Sequence, residues 1–361
     1  FLLFVLLAGC SLQQAAVEPT PVGPNINLPP TWTPQPTATP GPPPPTATRV
    51  IPVEPVSQNA PAVSNQPYRH FPQSVFGKIG LWGDTRHLTV DQSRLLSDRV
   101  QIVSGPQALS LRRLNARLFA LAVLDGSLPR DQLLKSLPSY AQYDAVLLDP
   151  VGLPESANSA SLAAQLLAAA KPALGSRLLF AGSAEAARSQ SAQVDGVCLC
   201  RFLRAGDDKL DTFKTVAEWK KDVDSLTALA SLPNSLVLVA TRLNKVESGQ
   251  SALVDRWFNY SFPSFLLGVT GGTSYFSFQG SGADNYLYQD ATGVQLGYAY
   301  GSYYPFYGAY VRQFQNGMVA VNPGMSLVEI PLSRTYVSAN GLKLTRVKLD
   351  PHSGIILLAQ K

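Results

Sequence analysis

Three aspartates close apolar runs of this chain and are its best candidates for chemistry. Asp84 follows the run Phe76–Trp82, Asp125 follows Leu118–Leu124, and Asp149 ends Ala145–Asp149. Two suitably placed carboxyls are the minimum equipment of glycoside hydrolysis: one protonates the leaving oxygen and the other serves as nucleophile or base. Each aspartate also reads as a loop residue or helix cap, as Asp125-Gly126 at a turn illustrates. Other side chains at the ends of apolar runs are Cys200, Arg242, Asn244 and Gln279. The histidines, His70, His87 and His352, are scattered, so neither a zinc-ligand spacing nor a Ser-His-Asp set emerges, and no metal and no cofactor is expected.

These residues need a scaffold, and the spacing of apolar runs suggests one. Eight runs, Phe76–Trp82, Val100–Ser104, Leu118–Leu124, Ala145–Asp149, Arg177–Ala181, Val194–Cys200, Leu236–Thr241 and Ser274–Phe278, are nearly continuous in hydrophobicity. Parallel strands covered on both faces require that pattern. Helical segments such as Ser161–Lys171, Thr215–Leu232 and Ala252–Leu267 lie between them. The expected fold is α/β, a (β/α)8 TIM-like barrel spanning 67–297, with an open doubly wound sheet as the alternative. Residues 298–361 change rhythm: Met318–Asn322, Ser326–Ile330, Leu342–Leu349 and Ile355–Ala359 alternate with turn signals such as Asn316-Gly317 and Asn340-Gly341. A small C-terminal antiparallel β unit is expected there.

Aromatic side chains crowd the stretch from Tyr275 to Tyr310. Tyrosine has an apolar ring face and a polar tip, which suits stacking on sugars. Trp82, Arg242, Tyr275 and Tyr304 are the candidate substrate-binding residues, and the Gly-rich setting of Tyr298–Tyr310 suggests an exposed loop. Packing between barrel and β unit is the competing explanation for the aromatics.

The amino-terminal part is compositionally distinct. Of 29 prolines, 15 fall in residues 1–66, and residues 11–66 read as a Pro/Thr-rich disordered linker with polyproline-like extension. Before it, residues 1–10 carry an apolar run into Leu7-Ala8-Gly9-Cys10, which resembles a bacterial lipobox, with Cys10 as the lipidation site. The expected location is extracytoplasmic, lipid-anchored to the cell membrane. The net charge is +5 without long Lys or Arg runs, which argues against nucleic acid as a partner.

Three segments carry a family resemblance: Asp144–Asp149, Val194–Phe202 (VDGVCLCRF), and Tyr310–Pro323 (YVRQFQNGMVAVNP). They resemble signatures of bacterial TIM-barrel glycoside hydrolases, the hypothetical family numbered fifteen, over about residues 75–361. The resemblance implies an acid ending one strand, matched by Asp149, and a second acid ending a later strand. Cys200 stands at that second position, and a thiol is a poor substitute for a carboxyl. Cys198 and Cys200 are expected as two buried thiols on opposite strand faces, one toward the barrel interior and one toward the helices, with a disulfide between them disfavoured.

Together these observations suggest an extracytoplasmic lipoprotein whose barrel acts on O-glycosidic bonds of a polysaccharide or oligosaccharide, with Asp149 and either Asp84 or Asp125 as the carboxyl pair. The alternative is a catalytically degenerate carbohydrate-binding surface protein.

Overall fold

The computed structural model describes residues 80–360 apart from 87, 126–127, 150–156, 183–193, 205–208, 233–235, 244–245, 247–248, 271–272, 281–289 and 339–340. Cys10, the linker, His70, His87 and Asn244 lie outside the described residues. The eight apolar runs form β1 (Gly80–Asp84), β2 (Ile102–Ser104), β3 (Phe119–Asp125), β4 (Ala145–Asp149), β5 (Leu178–Ala181), β6 (Gly196–Leu199), β7 (Leu236–Leu243) and β8 (Ser274–Gly280). They pair in sequence order, all in parallel, and β8 returns to β1 to close the barrel. The intervening helices are α1 (Val90–Ser97), α2 (Ala108–Leu114), α3 (Arg130–Ser136), α4 (Ala157–Leu174), α5 (Val216–Ala230) and α6 (Ser251–Gly268).

Strand alternation sorts the apolar residues into two cores. Trp82, Ile102, Phe119, Leu121, Leu147, Phe180, Leu238 and Tyr275 fill the barrel interior. Their neighbours along each strand, such as Leu81, Val103, Ala120 and Val239, face the helices. This two-sided burial explains why the strands are apolar throughout rather than alternating. The largest interior rings fit because small residues oppose them. A Cβ on Gly196 would stand 2.5 Å from the Phe180 ring and 2.6 Å from the Leu236 carbonyl oxygen.

Helix boundaries follow local chemistry. Thr89 and Thr215 cap α1 and α5 through capping boxes with Gln92 and Glu218, satisfying otherwise orphaned backbone donors. Helix α6 is buried all round in its second half, Tyr260–Gly268. A helix of that kind must be covered on several sides, and α6 is: the barrel lies on one side and the C-terminal sheet on another. Gly354 permits the close approach, since a Cβ there would lie 2.8 Å from Pro263.

The C-terminal unit is antiparallel, as expected, but larger than the four runs suggested. Its strands β9 (Ala299–Phe306), β10 (Ala309–Phe314), β11 (Gly317–Asn322), β12 (Val328–Ser338), β13 (Lys343–Leu349) and β14 (Ser353–Ala359) follow the order β13-β12-β14-β11-β10-β9. The stretch expected as an exposed loop is instead the β9–β10 hairpin. Tyr307 and Gly308 both take positive φ, 49° and 79°, the combination a tight two-residue hairpin turn demands. The aromatic composition that looked like a binding loop is also strand-forming composition.

Candidate functional site

The C-terminal rim of a parallel barrel gathers the last inward-facing position of each strand. In β1 the alternation that puts Trp82 inside leads to Asp84, and in β2 the alternation through Ile102 leads to Ser104. In β3 it runs through Leu121 and Val123 to position 125, and in β4 through Leu147 to position 149. Asp125 and Asp149 are register partners on adjacent strands, which places their backbones about 4.8 Å apart. Asp84 and Ser104 are likewise partners. The described geometry of Asp125 and Asp149 is that of their strand positions. Asp84, Asp125, Asp149 and Cys200 all stand at the same end of the barrel strands.

Asp84 is held tightly. Its Oδ2 accepts from Arg86 Nε at 2.7 Å and Nη2 at 2.6 Å, while its Oδ1 accepts from the Arg86 backbone N–H at 3.0 Å. The turn exists because Gly105 leaves it room: a Cβ there would sit 2.9 Å from Asp84 Oδ1, and Gly105 has φ of 90°. The sequence reading did not single out Arg86, because a turn that folds its guanidinium back onto the Asp84 carboxylate depends on the neighbouring strand.

On the other side of the barrel, Cys198 and Cys200 form a disulfide with Cα atoms 5.0 Å apart. This corrects the expectation of two free thiols on opposite faces. Strand β6 ends at Leu199, and Cys200 lies in the following turn, where Phe202 N–H donates to the Ala240 carbonyl at 3.0 Å. Leaving the extended conformation brings Cys200 back to the same side as Cys198, and both sulfurs join the barrel interior. Strand alternation holds only while the strand lasts.

Beyond the disulfide, Arg242 Nε donates to Gln279 Oε1 at 2.9 Å, and Gln279 Nε2 donates to Ser277 Oγ at 3.0 Å. Arg242 therefore stands on the rim, ordered by β8. Trp82 and Tyr275 do not meet the expectation of sugar contact. They are 1% and 0% exposed, in the interior layer beneath the rim, and Trp82 Nε1 donates to Ser104 Oγ at 3.0 Å. Tyr304 is 41% exposed but belongs to β9 of the C-terminal sheet, not to a barrel strand. Aromatic identity alone cannot distinguish a core ring from a ligand-stacking one. Among the described rim positions, Asp84, Asp125 and Asp149 thus end β1, β3 and β4, while the ends of β6, β7 and β8 carry a disulfide, a guanidinium and an amide.

No family model and no curated protein matches the chain. Among solved structures it is similar to a GH27 β-L-arabinopyranosidase from Geobacillus stearothermophilus, at 10% identity over 79% of this chain and 97% of that one, with a TM-score of 0.47. It is also similar to an α-amylase from Geobacillus thermoleovorans complexed with acarbose, at 9% identity over 80% and 99%, TM-score 0.45. The glycoside hydrolase domain of PelA from Pseudomonas aeruginosa is similar at 14% identity over 59% and 98%, TM-score 0.39. Likeness at this level says nothing of activity.

Proposed function

We propose that this chain is a lipid-anchored, extracytoplasmic polysaccharide-binding protein built on a glycoside-hydrolase-like barrel, with hydrolysis of O-glycosidic bonds weak or absent. The observation that carries this reading is the Cys198–Cys200 disulfide, which occupies the strand end where the family resemblance expects a second acid. A disulfide neither donates nor accepts a proton at the glycosidic oxygen. Glycosidases need two carboxyls flanking the scissile bond, about 5 to 9.5 Å apart. Asp125 and Asp149 are register partners at the ends of adjacent strands, so their backbones stand on one side of the barrel and not across it from each other. Arg242 and Gln279 supply hydrogen-bond donors to sugar hydroxyls from the other side. General acid–base assistance is worth about 10² to 10⁴ in rate, so a mouth whose β6 end holds a disulfide instead of the second acid binds without turning over efficiently.

The extracytoplasmic setting is supported by the Cys10 lipobox and by the disulfide itself, because such bonds persist mainly in oxidising compartments. Membrane association in fractionated cells should be lost on Cys10→Ala, and retention would refute the anchor.

Reducing-sugar release and affinity electrophoresis over one polysaccharide panel test the central reading. Retardation by at least one polysaccharide is expected, with little sugar released and little change in either on Asp149→Asn. Robust release abolished by Asp149→Asn would make the protein an enzyme.

A further inference from the structure

The outer strand of the C-terminal sheet carries a row of exposed rings that the barrel mouth does not use. Tyr300 pairs with Gln313, Tyr304 with Val311, and Phe306 with Ala309. Cross-strand partners share a face, so the three rings lie on the face of Ala309 and Val311. The face lines the apolar interior of the C-terminal sheet, and it continues past that core onto β9, the edge strand of the sheet among the described residues. Tyr303 points the other way. Its ring packs edge-on to Trp219 of α5 and its hydroxyl donates to Asp224, which fixes β9 to the barrel.

A bulge makes the row continuous. Tyr300 and Tyr304 are four positions apart in β9, yet their partners Gln313 and Val311 are only two apart. The rings are therefore drawn to a spacing of roughly 6.6 Å along the strand instead of about 13 Å. The bulge has a built cause: Gly301 takes φ of 68°, and its carbonyl accepts from Arg312 Nε at 3.0 Å. Arg312 is itself 5% exposed and anchored by carbonyls at the end of α6. Tyr304 and Phe306 continue the row with ring centroids 6.2 Å apart, and Tyr307 follows at 4.7 Å from Phe306. Tyr300, Tyr304 and Tyr307 are 60%, 41% and 61% exposed.

The chemistry selects an occupant. Residues 291–311 contain no Lys, Arg, Asp or Glu, so the platform offers neither charge nor charge complementarity. Pro305 removes a backbone donor from β9 and the bulge interrupts its regular edge, two features that block strand addition by another protein chain. What remains is a line of amphipathic rings with hydroxyl tips, suited to stacking on the apolar faces of consecutive sugar rings while bonding their hydroxyls.

We infer that the Tyr300–Tyr304 face of β9 is a second binding site, separate from the barrel mouth, for a neutral polysaccharide chain. This rests on the reading of the protein as polysaccharide-binding, and two sites on one chain raise the apparent affinity for long polymers over short ones.

Affinity electrophoresis of the full chain in gels containing a neutral mixed-linkage β-glucan, a neutral α-glucan or anionic polygalacturonate tests this. Tyr300→Ala with Tyr304→Ala should weaken retardation in a neutral gel at least tenfold. Tyr300→Phe with Tyr304→Phe should weaken it less, and the thermal unfolding midpoint should stay near that of the parent. Arg242→Ala at the mouth should leave a residual, tyrosine-dependent retardation. If the tyrosine pair changes nothing while Arg242→Ala abolishes binding, the second site is refuted and the mouth reading survives. If no polysaccharide retards the parent, both fall. If the tyrosine variant instead abolishes self-association seen by sedimentation, the face is an interface between copies and the proposal is overturned.

Discussion

Cys198 and Cys200, separated by one residue, are joined to each other inside the barrel at the end of β6. The bond turns a strand end that faces the mouth into an inert apolar patch, since both residues are buried and neither sulfur can titrate. It closes a ring of only three residues, so the chain-entropy contribution is small, on the order of 1.6 kcal/mol.

Thiol titration of unfolded protein without reductant should therefore detect no thiol at positions 198 and 200, and both after reduction. Replacing both by Ala should lower unfolding free energy by about 1 to 3 kcal/mol, from the lost ring closure and lost interior packing. Alkylation of either cysteine in the unreduced, unfolded protein, read by mass spectrometry, would contradict the bond.

Trp82 is a core residue whose indole N–H is satisfied by Ser104. Trp82→Ala should cost roughly 3 to 5 kcal/mol of stability by leaving a cavity below the rim. Denaturant titration measures it, and a loss below 1 kcal/mol would show that the indole is not packed as described.

Arg312 Nη1 donates to the carbonyls of Leu267 at 2.8 Å and Val269 at 2.6 Å, closing the C-terminal end of α6, while Nε holds the bulge of β9. Burial lowers its pKa from the ordinary arginine value. Arg312→Met should destabilise by at least about 3 kcal/mol, because several buried carbonyls lose a charged donor at once. Arg312→Lys should recover only part, lacking the planar fork. Hydrogen exchange should rise first at the β9–β10 hairpin, and unchanged protection there would show that Arg312 does not hold it.

His352 stacks on Phe213 at 4.3 Å and meets Tyr260 edge-on. Burial, followed by the nearby Arg256 cation, pushes its pKa below 6.5. The unfolded chain then binds the proton more readily, so this residue's contribution to stability is complete above pH 6.5 and is lost as pH falls through the folded value. His352 has φ of 50°, which Asn tolerates. Unfolding free energies of the parent and His352→Asn should hold a constant difference above pH 6.5 and converge below it. A difference independent of pH would refute the linkage.

Much of the barrel was legible because closure of a parallel sheet leaves a strong trace in composition: eight apolar runs, each buried on two faces. The rim position of Asp84 and the strand positions of Asp125 and Asp149 followed from the same pattern, since a strand's last residue is set by where its apolar run stops. Trp82 and Tyr275 were misjudged because whether a ring faces core or ligand depends on the layer it occupies, a property of the assembled barrel. The disulfide was missed because it requires the chain to leave β6 at Cys200, and that departure is imposed by Phe202 bonding to β7. The tyrosine row on β9 was visible as composition, but its shared face and close spacing come from pairing with β10 and from Arg312, fourteen residues after Tyr298, reaching back to Gly301. Local sequence determines which segments become strands. Contacts between distant segments decide what each strand end presents to a ligand.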